Sequence, residues 1–592
     1  MNPGIFFSAV FFFLVTILPS SAIELITKDF TGTQSASSSV SSQFFLGADG
    51  RLVVFASSGT NLVMNDTNGV RDVFVYDRSL RSNVWNTTHS RWIGSQPLLP
   101  EGSTPYHLTP DSRYLVFTSS ATGFVSGVTF PSLVRHIGSG GSTTYQTIAG
   151  QVYVHDLWSN ITAIASVSPD GLTAANEDSF GARISIDGKF VAFKSRATNL
   201  VAMPDSNGNE SDIFCRDFVN GTTEAISLSP SSDQTLDNGI YDDQNEVRMS
   251  SNGRYFCFST TATNVVAGRS NTNDVPLVYW RDRLAGTNLL VSDTLDGVFP
   301  RFGSASLLDM TPDGRYVCFT TYLTNIVVGV QDTNGNNDVF IRDMELGETW
   351  LVTRTTNNVA AGGNSGRFTG DGRYLLFSCA TTAVVTGVTD GNGFGYDLFL
   401  HDVLTRTNAI ITLSWNGNTS GSESPGGTAR VSDNGRFVLF MSYATNLIAA
   451  TTNRSSRFYV RDMEASRTLN ALRLPPSGPG PGYADTSSNI SADGRVLTFL
   501  SFTNVDYSIT DTNNNVDLFA APLYPPQFLA VMPSGEMSAE GISGATYVVD
   551  ASTNLVNWTA VNTNIANSQG VLNTSDSQRG IMPHRFYRLN WK

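Results

Sequence analysis

The chain has 592 residues, 40% of them hydrophobic and only 15% charged, with 52 Gly and 36 Phe. That balance excludes a disordered chain and suits a large β-rich protein with many turns. A formal net charge of −14 and a pI near 4.9 exclude a general nucleic-acid binder, which needs a basic footprint.

Residues 1–22 read as a secretory leader. Ile5 to Leu18 is almost entirely apolar, and Ser20-Ser21-Ala22 offers the small residues a signal peptidase prefers. The run is too short for a comfortable membrane span, although Met1–Gly4 lacks the usual Lys or Arg. No later stretch approaches the roughly eighteen apolar residues of a transmembrane helix, so no transmembrane segment is expected after cleavage.

From residue 23 to 523 the chain repeats one pattern. Its clearest copy is Thr311 to Asp343, TPDGRYVCFTTYLTNIVVGVQDTNGNNDVFIRD. A turn of the Asp-Gly type recurs at Asp49, Asp111, Asp187, Asn252, Asp313, Asp371, Asp433 and Asp493, giving eight copies about sixty residues apart. Repeats of this length that read as strands indicate a propeller or a β-solenoid. The fifth copy carries four strand signals: Ser304–Met310, Tyr316–Thr321, Asp338–Arg342 and Thr349–Thr353. Four antiparallel strands per copy make one propeller blade.

The eighth copy stops after its third strand, Asp517–Ala521, and meets Pro522 and Pro525-Pro526. Ile23–Thr27, at the other end, resembles the fourth strands elsewhere, such as Thr349–Thr353. The expectation is therefore an all-β fold, an eight-bladed β-propeller closed by the N-terminal strand, since closure removes two open edges. Copy two replaces its Asp/Asn loop with a flexible excursion, Val128–Gly150, and a Pro/Gly-rich loop, Pro475–Gly482, precedes copy eight. Residues 524–592 form a small C-terminal β module, with strands expected at Tyr547–Ser552, Trp558–Asn562 and Arg585–Leu589.

The pattern SADGR, a β run, ATNLV, DTNG and DVFVRD resembles the WD40-like (PD40) repeats of TolB-type β-propellers found in exported bacterial proteins. The resemblance implies a binding or scaffolding propeller. It departs from TolB, which has six blades, and the hydrolase domain of prolyl-oligopeptidase-type relatives is absent. The C-terminal segment YVVDASTNLVNWTAVNT…RFYRL resembles a short module of exported proteins from Verrucomicrobia-like bacteria, which implies attachment or sorting at the cell surface.

Cys257 and Cys318 occupy one place in successive copies, Cys379 lies just past it, and Cys215 stands in a third strand. Equivalent places in different blades lie beyond disulfide reach, so buried free thiols are expected. No CxxC and no Cys/His cluster suggests zinc.

Four constellations bear on function. A basic residue follows each turn: Arg51, Arg113, Lys189, Arg254, Arg315, Arg373, Arg436 and Arg495. Third strands end in Asp77, Asp156, Asp217, Asp282, Asp343, Asp402 and Asp462, which predicts a cross-strand ion pair in each copy rather than catalysis. Copy eight has Ala521 there, so Arg495 is expected to lack that partner.

The second constellation is the loop D-x-N-G-x-x-D: Asp66, Asn68 and Asp72; Asp205, Asn207 and Asp212; Asp332, Asn334 and Asp338; Asp390, Asn392 and Asp397; Asp511, Asn513 and Asp517. Such oxygens suit calcium, although no bidentate Glu follows as in an EF-hand. Asx-turns explain the same residues without metal. No other cofactor is implied.

The third lies in the first strand, where one position reads Phe45, His107, Arg183, Arg248, Asp309, Arg367, Arg430 and Asn489 around an always-apolar neighbour. Alternation puts the two sets on opposite faces. With the first strand innermost, as the resemblance implies, Arg183, Arg248, Arg367, Arg430 and His107 line the central channel and offer a site for carboxylates or phosphates. The competing expectation is that each Arg pairs with an Asp of the next blade.

The fourth is the set of histidines: His89, His107, His136, His155, His401 and His584, with no G-x-S-x-G elbow anywhere. His155 and His401 replace an Arg of other copies and read as surface substitutions. The expected function is an exported, non-catalytic propeller that binds a protein or glycan. The alternatives are a channel enzyme acting on an anionic polymer with His107 as base, and a calcium-stabilised structural protein.

Overall fold

The computed structural model describes residues 23–592 apart from 89–101, 138–142, 242–246, 450–456, 473–486, 580–584 and shorter gaps within 209–592. The expected leader and the Pro475–Gly482 loop lie outside the described residues.

Each copy of the repeat folds as an antiparallel sheet, giving eight sheets in chain order. In the fifth the strands are Ala305–Met310, Tyr316–Thr321, Asp338–Asp343 and Glu348–Leu351, paired in sequence. Central strands such as Leu52–Ser57 and Asp72–Asp77 are buried along their whole length, because each sheet is covered on both faces by its neighbours. An aromatic pair bridges the two central strands in most sheets: Phe55–Phe74, Phe319–Phe340, Phe377–Phe399 and Phe499–Phe519, with centroids 5.4–5.7 Å apart. Such cross-strand pairs add about 0.5–1.5 kcal/mol each beyond their burial.

The Asp-Gly turn joins one sheet to the next as well as two strands. In the fourth sheet Ser250 Oγ donates to Asn252 Oδ1 at 2.7 Å and accepts from Tyr255 N at 2.9 Å. Gly253 has φ 70°, and a Cβ there would stand 2.7 Å from the Phe190 ring of the third sheet. The same contact recurs between Tyr114 and Gly188, Tyr255 and Gly314, Tyr374 and Gly435, Phe437 and Gly494, and Val496 and Gly50. The last of these seats the eighth sheet on the first. In the seventh copy the turn acceptor is Asn434, which Ser432 and the Arg436 amide contact, and not Asp433. Asp433 instead joins a backbone belt in which Asp371 N donates to Asp433 O, Asp433 N to Ala492 O and Ala492 N to Ala48 O.

The N-terminal strand, Glu24–Leu25, pairs with Asp517–Pro522 in the eighth sheet. Thr27 Oγ1 donates to Asp517 Oδ1 at 2.8 Å and accepts from Leu518 N at 3.1 Å. Within the fifth sheet Thr353 makes the same two bonds to Asp338 and Val339. Glu24 in turn accepts the Tyr76 hydroxyl of the first sheet at 2.7 Å.

Two further departures from the sequence expectation concern the excursion and the tail. Val128–Gly150 contains a hairpin of Ser132–Ile137 with Thr143–Ile148, the second arm rich in β-branched residues. In the tail, the expected strands appear as Thr546–Ser552, Thr559–Ile565 and Phe586–Trp591. A second sheet of Gln527–Val531, Glu536–Glu540 and Val571–Ser575 was not legible. Tyr547, Val549, Tyr587 and Leu589 share one apolar cluster with Leu439, Phe499 and Phe519, so the module packs onto the repeat array. Cys215, Cys257, Cys318 and Cys379 are buried free thiols.

Candidate functional site

The first strands carry a device that alternation does not reveal. In the second, third, fifth, sixth and seventh sheets the register shifts immediately before the variable position, at Pro105/His107, Phe180/Arg183, Leu307/Asp309, Asn364/Gly366 and Gly426/Arg430. A bulge unpairs one residue and re-aims the next side chains. Gly181, Ser365 and Gly427 supply the positive φ, at 62°, 59° and 68°. Glycine inside a strand run was the available signal for it.

Past the bulge the apolar neighbour turns into the sheet interface in four of these sheets: Leu108, Ile184, Met310 and Phe368 are buried. The variable residues of adjacent sheets meet one another. Arg248 Nε lies 3.4 Å from Asp309 Oδ1, and Asp309 Oδ2 accepts Phe368 N at 2.9 Å. Arg430 Nε donates to Asn489 Oδ1 at 3.0 Å, and Asn489 Nδ2 donates to Phe44 O at 2.8 Å. Two of the four expected channel arginines thus have acceptors on the next sheet, which is the structural alternative.

Arg183 and Arg367 are arranged differently. Both act electrostatically on His107, whose pKa falls to about 3, mainly by burial and then by these two cations. His107 belongs to the second sheet, Arg183 to the third and Arg367 to the sixth. His107 Nδ1 is buried without a hydrogen-bond partner. Arg367 also faces Asp433, which burial and Asp371 push upward and Arg367 holds down. A histidine with so low a pKa is a poor general base at neutral pH, where a matched base titrates near 7.

The turn arginines form the expected latches: Arg51–Asp77 2.6 Å, Arg113–Asp156 2.9 Å, Arg254–Asp282 2.6 Å, Arg315–Asp343 2.8 Å, Arg373–Asp402 3.0 Å and Arg436–Asp462 3.1 Å. Most lie over the aromatic that follows them, as Arg315 does over Tyr316 at 5.1 Å. Lys189 is too short for Asp217 and pairs with Asp187 at 2.9 Å. In the eighth sheet Pro522, not the expected Ala521, stands opposite Val496 where the other sheets have Asp, and Arg495 turns to Asp493 at 3.3 Å. These groups fasten hairpins.

His155 and His401 are buried, not surface substitutions. His155 Nδ1 lies 2.9 Å from Thr162 Oγ1, and His401 Nδ1 lies 2.7 Å from Asn408 Oδ1. Arg216 and Arg342 make the same bond to Thr223 and Thr349 in their sheets. Trp350 Nε1–H donates to His401 Nε2 at 3.1 Å, which fixes the proton on Nδ1. His89, His136 and His584 add no described side chain.

The Asp/Asn loops form the expected Asx-turns. Asp205 Oδ1 accepts Asn207 N and Gly208 N at 3.1 and 3.0 Å, and Asp511 Oδ1 accepts Asn513 N at 3.1 Å. The second carboxylate of each loop is buried and takes a hydroxyl: Asp72 from Thr87, Asp212 from Ser227, Asp338 from Thr353, Asp397 from Thr412, Asp517 from Thr27. The loop amides Asn68, Asn207 and Asn334 donate to Asp72, Asp212 and Asp338. Burial pushes Asp212 and Asp517 up to about 7. Among the described residues no three His, Cys, Asp or Glu side chains converge as a metal set. Each loop brings two carboxylates and an amide.

These features define a β-propeller protein. No protein-family model matches the sequence, and no curated protein matches it. An oligogalacturonate lyase from Vibrio parahaemolyticus overlays with a TM-score of 0.39 at 10% identity, over 82% of this chain and 97% of that one. The β-propeller domain of the Trilobed protease from Pyrococcus furiosus, with an open velcro topology, gives 0.36 at 12%, over 71% and 92%. The Cps50 (Swd1) β-propeller domain from Myceliophteria thermophila gives 0.31 at 11%, over 66% and 99%. The overlaps are loose, and no function is carried across from them.

Proposed function

We propose that the chain is an exported, non-catalytic, eight-bladed propeller, closed by the Glu24–Thr27 segment, that binds an acidic ligand at its central channel. The ligand is a glycan or protein segment whose carboxylates engage Arg183 and Arg367, with neutral His107 between them. The observation that supports this reading is that Arg183 of the third sheet and Arg367 of the sixth both bear electrostatically on His107 of the second. Two guanidinium groups around a buried neutral ring attract an anion, and Arg forks onto carboxylate or phosphate. Arg248 and Arg430 frame the channel through Asp309 and Asn489 rather than contacting ligand. Ring closure is supported by Thr27 reproducing the fourth-strand bonds and by Val496 seating on Gly50. The C-terminal module, resembling those of exported proteins, is the attachment piece.

Calorimetric titration with acidic oligosaccharides, acidic peptides and neutral glucans tests the proposal, alongside assays for unsaturated and reducing-end products. Binding of an acidic ligand without turnover is expected. The Arg183→Ala/Arg367→Ala variant should weaken it about tenfold or more, since a charged hydrogen bond is worth about 1.5–3 kcal/mol. Turnover that disappears in His107→Ala would replace the proposal with the enzyme.

A further inference from the structure

The Asp/Asn loops play no part in the channel, yet they hold buried oxygens that no donor meets. In the sixth sheet Asp397 is 0% exposed. Its Oδ1 accepts Thr412 Oγ1 at 2.6 Å, whereas Oδ2 has no hydrogen-bond partner. Asn392 Oδ1, in the same loop, is also buried without one. Asp390 completes the loop, its Oδ1 taking Asn392 N at 3.1 Å and Gly393 N at 2.9 Å. Leaving a buried acceptor unsatisfied costs about 1–3 kcal/mol, and more for a charged one. The situation recurs: Asn207 Oδ1 in the third sheet and Asp332 Oδ1 in the fifth lack donors as well.

We infer that the Asp390–Asp397 loop is a calcium site in which Asp397 Oδ2, Asn392 Oδ1 and the Asp390 carboxylate are ligands. The donor set is oxygen only, which selects a hard cation over zinc or copper. Calcium tolerates irregular ligand arrangements completed by carbonyls and water, whereas magnesium demands an octahedron and keeps its water. Two carboxylates per site place the affinity in the weak class of extracellular modules, about 10⁻⁴–10⁻³ M. The inference is independent of the channel ligand.

Chelator-treated full-length protein is titrated with calcium alone, reading bound ion by equilibrium dialysis and stability by melting, with magnesium as comparison. Saturable binding and a higher melting temperature in calcium are expected. Asp397→Asn should lose one site while melting no lower than the parent in chelator, because it relieves repulsion with Asp390. Asp390→Asn, at a half-buried position, provides the same count should the first variant fold poorly. No binding and no melting shift at about 10 mM calcium overturns the inference. So does an equal response to magnesium, or an unchanged site count in both variants.

Discussion

A charge that joins Arg183 and Arg367 should be felt at His107, on which both cations bear. Burial and then the fields of Arg183 and Arg367 lower its pKa to about 3. An anion placed between the cations cancels that field and raises the His107 pKa. Binding then takes up protons, so affinity for a ligand that stays ionised should rise as pH falls. Arg367 in turn bears on Asp433, which Asp371 also faces. Titration with a sulfated oligosaccharide at about pH 5 and pH 7 measures the effect, and His107→Gln should flatten it.

His155 and His401 govern a different response. Each has a folded pKa near 4, lowered chiefly by burial from the usual 6.5. Their stabilisation is complete above pH 6.5, where folded and unfolded chains are both neutral. It is lost as pH falls from 6.5 towards 4, since only the unfolded chain then gains the proton. The cost reaches about 3 kcal/mol per histidine at about 1.4 kcal/mol per pH unit. Melting curves at about pH 7 and pH 4.5 should show the fall, and His401→Gln should make it shallower. Neither ring could have been placed from sequence, because an Arg-to-His change at one repeat position does not reveal whether the position is buried.

The strand hairpin is the unit on which most of the repeat's sequence acts. Its turn glycine answers two demands at once, and they can be separated. At Gly253 an alanine meets both φ 70° and the Phe190 ring, whereas at Gly347, with φ 71°, nothing lies within 4 Å. Gly347→Ala should therefore cost about 1–2 kcal/mol of backbone strain alone. Gly253→Ala should cost about 2–4 kcal/mol, because forced packing adds to the strain. Chemical denaturation of the two variants side by side checks the difference. The latches were legible because strand-two starts and strand-three ends are neighbours in any antiparallel pair, and the register Tyr316↔Asp343 realises it. The channel residues were legible as a position but not as partners. Whether Arg248 meets Asp309 or solvent depends on the adjoining sheet, which local alternation does not encode.

Across the whole molecule, the repeat count and the borrowed strand were readable because self-similarity survives without knowledge of contacts. Thr27 stands where Thr353 stands, and both serve the same buried carboxylate type. The tail's second sheet was not readable, since a short module without repeats gives no second copy to compare. Removing Glu24–Thr27 should leave the edge of Asp517–Pro522 open and Asp517 without its hydroxyl donor. Leu25→Asp should act similarly, placing a charge at a position that is 0% exposed. Both variants should melt well below the parent and self-associate through the bared edge in size-exclusion chromatography. Conversely, Arg495→Ala should change stability by less than about 0.5 kcal/mol, since no third-strand Asp faces it.

The bond from Thr27 to Asp517 spans 490 residues. A ribosome releases those two ends at opposite moments of synthesis, so the earliest segment to emerge must wait for nearly the last before it has a mate. Until then the growing polypeptide holds an unfinished fan of sheets, loosely joined and easily drawn out.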